Sequence, residues 1–220
     1  MPVPAVPREL ADLPYAGHLE PLRGELETEG VYDTVHAGER EFVDARAGGA
    51  RFVECAFTSV AFEGGLMRRA RFTDVWCHTV RWVGTDLAES GWMDASVVSG
   101  MLAGVQAFGA TLRRVTFSHC KLDSVNWRSA ALREVSFTDC LLRDVDFGEA
   151  TLTDVSFPGS TLDGVRLRGA RLSKVDLRGA AALGVADGVE ALRGATIDHG
   201  QLFDLAPAFA QALGVTVTSR

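Results

Sequence analysis

Residues 110–149 read ATLRR VTFSH CKLDS VNWRS AALRE VSFTD CLLRD VDFGE, and the order within these eight blocks of five decides the fold. The third residue of every block is Leu, Phe or Trp, and the first is Ala, Val or Cys. Neither the period of a helix, about 3.6 residues, nor that of a strand, about 2, produces such a pattern. A five-residue unit fits a short extended side followed by a corner. The first and third residues then point inward and the other three face solvent.

Working outward from this stretch, the large column is apolar at twenty-nine consecutive positions, from Phe42 to Ala182. With 47% of the chain apolar, random usage would give that run roughly once in a few billion sequences. The column two residues earlier holds only Ala, Cys, Val, Gly, Ser and Thr from Ala45 to Ala180. Large central side chains fill a narrow interior and leave room only for methyl-sized neighbours.

A finer period counts the sides. Ala110, Ala130, Ala150 and Ala170 recur every twenty residues, as do Phe117, Phe137 and Phe157, or Cys120 and Cys140. Like stacked on like at that spacing means one coil of twenty residues with four sides. Twenty-nine units make about seven coils, a rod of ~35 Å at the ~4.8 Å spacing of stacked strands.

Val115-Thr-Phe-Ser-His119, Cys120-Lys-Leu-Asp-Ser124 and Ala170-Arg-Leu-Ser-Lys174 carry a resemblance to the pentapeptide-repeat family, and it extends over residues 40–182. The resemblance implies an all-β solenoid, a right-handed quadrilateral β-helix; the handedness comes from the family and not from the spacing. The departures are Arg40 in the first small position, small centres at Ala47, Ala107 and Ala182, and polar Thr85 and Ser90 in the small column. They predict less regular coils before residue 110.

A solenoid exposes an apolar cross-section at each end, and capping elements must cover it. Residues 1–39, interrupted by Pro7, Pro14 and Pro21, are expected to form an N-terminal capping segment of short helices or loops. The β-helix then takes residues 40–197, irregular near 183–191, where Asp187 falls in a central slot. Residues 198–220 are expected to form a C-terminal helix and tail. Asp198 can cap that helix, Leu202, Leu205, Phe209 and Leu213 give it an apolar stripe, and Gly214 ends it. The stripe is expected to cover the last coil; pairing two molecules into a homodimer, as in several family members, is its second use.

The net charge is −7, and its distribution matters more than its sum. Residues 1–40 carry eight acids and three bases, whereas residues 111–190 carry eleven of each. No basic patch suggests direct nucleic-acid or membrane binding. No apolar run is long enough to span a bilayer, and Met1–Arg8 lacks the features of a secretory signal. A cytoplasmic location is therefore the expectation.

Chemistry-bearing motifs are missing. There is no phosphate loop, dinucleotide fingerprint, H-E-x-x-H or nucleophile elbow. The histidines at 18, 36, 78, 119 and 199 are scattered, and the four cysteines show no metal-ligand spacing. No cofactor or metal is implied. Cys120 and Cys140 should stack ~4.8 Å apart, within disulfide range, but both lie in the inward small column, where packing accounts for them. The expected protein is not an enzyme.

One surface column stands out. The last residues of successive units on one side are Glu54, Asp74, Asp94, Arg114, Glu134, Asp154 and Lys174, five of them acidic. Phosphates along a DNA strand lie ~6–7 Å apart, so an acidic ladder on a rod can imitate a duplex backbone. The family resemblance implies a partner of this kind. Some members occupy the DNA site of a type II topoisomerase and protect it from quinolones or natural gyrase poisons. The alternative is a protein-interaction scaffold unrelated to DNA enzymes. It draws on Leu66, Trp76, Met93, Met101 and Phe108, apolar residues in outward slots. These either form a contact site or lie beneath the N-terminal segment.

Overall fold

The computed structural model describes residues 9–218 and shows a four-sided parallel β-solenoid closed by one C-terminal helix. Each side is named here by its first inward residue: Phe42, Ala47, Phe52 or Phe57. Every side advances by twenty residues per coil. Phe42 pairs in register with Phe62, Phe62 with Trp82, and Trp82 with Leu102. On the next side single bridges link Arg46 to Leu66, Leu66 to Asp86, and so on to Arg166. The other two sides merge into long strands from Gly91–Val98 onward, with Trp92 opposite Leu112 and Val97 opposite Phe117.

Stacking like on like gives the lumen its order. Phe117, Phe137 and Phe157 form a column with ring centroids 5.0 and 5.1 Å apart and planes within 7° of parallel. Tyr32, Phe52 and Phe72 form another at 4.9 Å per step, continued by Trp92. Burying each such side chain contributes about 1.5–3 kcal/mol, so the repeat is held together by one continuous core.

The turn at each corner needs a left-handed residue. The last position of the unit has positive φ along the length of the rod: 51° at Asp44, 51° at Asp74, 54° at His119, 53° at Lys174, with glycine at others such as Gly104 and Gly164. Short polar residues and glycine tolerate that conformation best.

The ladder starts earlier and runs longer than the apolar column alone indicates. Val31–Asp33 already pairs with Arg51–Val53, and Glu20–Pro21 pairs with Val35–Gly38. Tyr32 is inward on this first coil, stacked on Phe52 at 4.9 Å, and its hydroxyl accepts from the Glu27 amide at 2.7 Å. The solenoid therefore makes about eight turns, close to the seven expected. On the sides that later merge, the strands from Val31–Asp33 to Trp76–His78 are only three or four residues long, while the twenty-residue register is already kept.

The departures have local causes. Arg40 reaches back over the N-terminal end, donating to the carbonyls of Leu22 at 3.2 Å and Gly24 at 2.8 Å. Ser90 accepts from the Trp92 indole at 3.1 Å. Ala182 is not an inward centre: one extra residue shifts the register so that Leu162 faces Leu183, leaving Ala182 exposed and Leu183 buried.

At the far end, α1 (His199–Ala212) begins at Asp198, which accepts from the Gln201 amide in a capping box. Leu205 is buried on the last coil and Phe209 packs beside it, whereas Leu202 and Leu213 are 47% and 80% exposed. The inward place expected of Leu202 belongs to its neighbour Gln201. That side chain is buried and donates to the Leu177 carbonyl at 2.6 Å, an oxygen that also accepts from the Ala180 amide at 3.0 Å.

Candidate binding surfaces

The lumen has no room for a substrate. Two small voids interrupt it, one of ≈ 10 Å³ near Leu172 and one of ≈ 20 Å³ beside the small centre Ala107. All four cysteines are buried free thiols. Burial pushes the Cys55 thiol up to about 11 and also raises Cys77. No group of three or more metal-ligating side chains is found among the described residues.

Glu54, Asp74, Asp94, Glu134 and Asp154 are brought together along a single edge, between the Phe52 and Phe57 sides. Each sits at a corner, with φ between 49° and 56°. The column is spaced by one coil, because Phe52 pairs with Phe72 and Leu132 with Leu152 in the flanking ladder. Much of its charge is neutralised locally. Arg114 holds Asp94 through two short guanidinium–carboxylate bonds. Arg133 holds Glu134 at 3.1 Å, and Lys174 approaches Asp154 at 3.9 Å. No such ion pair engages Glu54 or Asp74 among the described residues. Partial burial, with Asp94 and Glu54 nearby, raises the Asp74 carboxyl above its ordinary value.

The same economy holds elsewhere. Arg68 pairs with Asp86, Arg81 with Glu63, and Arg128 with Asp146 and Glu149. Most of these partners are 18–21 residues apart, so the charges link neighbouring coils. Exposed pairs of this type contribute little singly, about 0–1 kcal/mol each.

The outward apolar residues divide. Trp76 is 3% exposed because Leu13 and Tyr15 lie over it and Ala56, while the Tyr15 hydroxyl donates to the Asp74 carbonyl at 2.7 Å. Leu66, Met93, Met101 and Phe108 remain 37–49% exposed. They fall on three different sides and so make no single patch. Spacing alone could not separate Trp76 from the others, since its cover comes from residues about sixty positions earlier.

Residues 109–185 match the family described as pentapeptide repeat region. No curated protein matches the chain. Among solved structures it is similar to HetL, a pentapeptide repeat protein involved in heterocyst differentiation regulation from the cyanobacterium Nostoc sp. strain PCC 7120. That similarity has 16% identity over 79% of this chain and 91% of that one, with a TM-score of 0.45. It is also similar to QnrB1, a plasmid-mediated fluoroquinolone resistance protein, at 18% identity over 90% and 96% of the two chains, with a TM-score of 0.37. At such identities no partner or activity carries over.

Proposed function

We propose that this chain, whose residues 109–185 match the pentapeptide repeat region family, works as a non-enzymatic rod that binds other macromolecules through its outer surface. The observation that carries this reading is the close-packed lumen, whose two voids are no larger than ≈ 20 Å³. A small substrate needs an enclosed pocket of hundreds of Å³. The charged side chains of the repeat lie outside, many of them at corners that recur one coil apart. The partner is a protein; neither nucleic acid nor a lipid surface suits a rod on which acids and bases pair between coils. The cytoplasm suits its four free thiols.

The specific form of this proposal is a modulator of a type II topoisomerase that imitates DNA and gives resistance to topoisomerase inhibitors. Its candidate contacts are Glu54, Asp74, Asp94, Glu134 and Asp154. Glu54 and Asp74 carry most of the weight, because the other three share their charge with a base of the same molecule. The decisive experiment is a supercoiling assay with purified DNA gyrase, with and without a quinolone. Inhibition or protection at micromolar protein, abolished by Glu54→Lys with Asp74→Lys, is the expected result. No effect in either condition rejects the topoisomerase partner.

A protein scaffold unrelated to DNA enzymes is the second reading, favoured by exposed Leu66, Met101 and Phe108. In either case the exposed Leu202, Phe203 and Leu213 at the capping helix offer a surface for end-to-end pairing of two copies. Phe203→Glu should abolish that pairing, as measured by light scattering.

A further inference from the structure

One of the four sides differs in composition from the rest. On the Phe57 side, the two positions flanking each inward centre hold no Asp, Glu, Lys or Arg from His36 to Pro158. The equivalent positions on the Phe42 side begin with Glu41, Glu63 and Arg81 and end with Asp163. Where it is uncovered, the charge-free side is mostly hydroxyl: Ser96, Thr116, Ser118, Ser136, Thr138 and Ser156. These groups partly satisfy one another. Ser136 and Thr138 hydroxyls are 3.2 Å apart, and Ser156 donates to Ser136 at 3.3 Å. A surface without charges, some of whose hydroxyls are already bonded, loses less on leaving water than a charged one. A charge-depleted centre inside a charged rim is the composition of an interface core.

The N-terminal part of this side is already occupied, by Leu13 and Tyr15 over Ala56 and Trp76. The open part begins at Ser96 and ends at Pro158, before the Asp176–Arg178 ion pair. We infer that this open run is the contact face for a second copy of the chain, laid antiparallel and face to face.

The rim selects that occupant. Place a two-fold axis in the plane of the face, perpendicular to the rod, between the Phe117 and Phe137 coils. The operation lays each column on its own reversed copy. Along one edge Arg114, which also holds its own Asp94, meets the partner's Glu134, and Glu134, held by its own Arg133, meets the partner's Arg114. Along the other, His119 and Asp139, 3.9 Å apart within one copy, meet the partner's Asp139 and His119. Thr116 then faces the partner's Ser136 in the centre. The row spacing, ~4.8 Å on both faces, matches because the faces are identical. In the outer rows Asp94 faces the partner's Asp154, each already held by its own Arg114 or Lys174. Four rows give a patch of about 400 Å² per copy, half of the ~800 Å² of a standard interface. The dimer is therefore weak, with a dissociation constant between micromolar and millimolar.

Sedimentation equilibrium of the full chain tests this, run in the Phe203→Glu background to remove end-to-end pairing and from about 10 µM to about 1 mM. A reversible monomer–dimer equilibrium is expected. Thr116→Lys with Ser136→Lys sets lysine against lysine and should weaken it at least about tenfold. Glu134→Arg alone should weaken it and Arg114→Glu added to it should restore it. Both rim positions are corners, where the occurrence of both Arg and Glu shows that either is tolerated, so this pair remains informative if the lysine variant unfolds. A monomer at every concentration, a dimer indifferent to the lysines, or the absence of rescue overturns the inference. None of these outcomes bears on gyrase.

Discussion

The amide N–H of Cys140 donates to the Ser160 hydroxyl at 2.8 Å, and that hydroxyl donates to the Phe137 carbonyl at 2.9 Å. Two backbone groups at a corner, which the ladder leaves unpaired, are thus bridged by one buried side chain of the next coil. The same relay recurs with sulfur. The Cys120 amide donates to Cys140 Sγ and the Cys140 thiol donates to the Phe117 carbonyl; one coil earlier, Gly100, Cys120 and Val97 repeat it. The small column at this corner is therefore chosen for hydrogen bonding as well as size.

Ser160→Ala should remove both bonds and leave an N–H and a C=O unpaired in the interior. Each buried unsatisfied group costs about 1–3 kcal/mol, so a loss of about 2–4 kcal/mol is expected. Ser160→Cys, which restores the sulfur form of the relay, should lose about 1 kcal/mol or less. Urea unfolding with unchanged m-values is the measurement, and equal losses in the two variants would refute the relay.

The thiols should be unreactive in the folded chain. Burial raises Cys55 to about 11 from its usual 9.0, so the unfolded chain releases that proton first as the pH rises. The sign follows from linkage: stability from this group is fully present below about pH 9 and is lost as the pH climbs toward about 11. Cys55→Ser should flatten that alkaline decline in a pH series of melting temperatures. Ellman's reagent at pH 8 should label no cysteine without denaturant and all four with it.

Two small centres should respond oppositely to added volume. Ala107 borders the void of ≈ 20 Å³, whereas Ala47 is 0% exposed and borders neither void. Ala107→Val should be neutral or stabilising by up to about 1 kcal/mol, and Ala47→Val should cost about 1–3 kcal/mol through overpacking. Thermal denaturation of the pair decides, and a loss of stability at Ala107 would count against the void.

Arg40→Ala should loosen the N-terminal end, because its guanidinium bonds the Leu22 and Gly24 carbonyls. Hydrogen bonds from a charged donor contribute about 1.5–3 kcal/mol. Faster amide exchange is expected within residues 22–43, with residues 110–160 unaffected. Uniform acceleration along the rod would instead mean that the ends and the middle open together.

Periodicity carried the architecture. A repeat that stacks on itself places each residue against the one twenty positions away, so columns can be read without coordinates. Reading broke down where a contact is not of that kind. The helix stripe predicts Leu202 on the last coil, but Leu202 faces solvent and Gln201 is buried there, donating to the Leu177 carbonyl.

The amino-acid sequence by itself determined the five-residue unit, the twenty-residue coil, the four sides and which residues point inward. These follow from one-dimensional stacking, in which neighbours in space are at a constant separation along the chain. Only the tertiary structure decided how the outside is used: that Trp76 lies under Tyr15, that Arg114 and Lys174 quench much of the acidic edge, and that Leu202 and Phe203 face solvent. Those contacts depend on side-chain reach around a corner, or on segments outside the repeat folding back on it. No period along the chain encodes either.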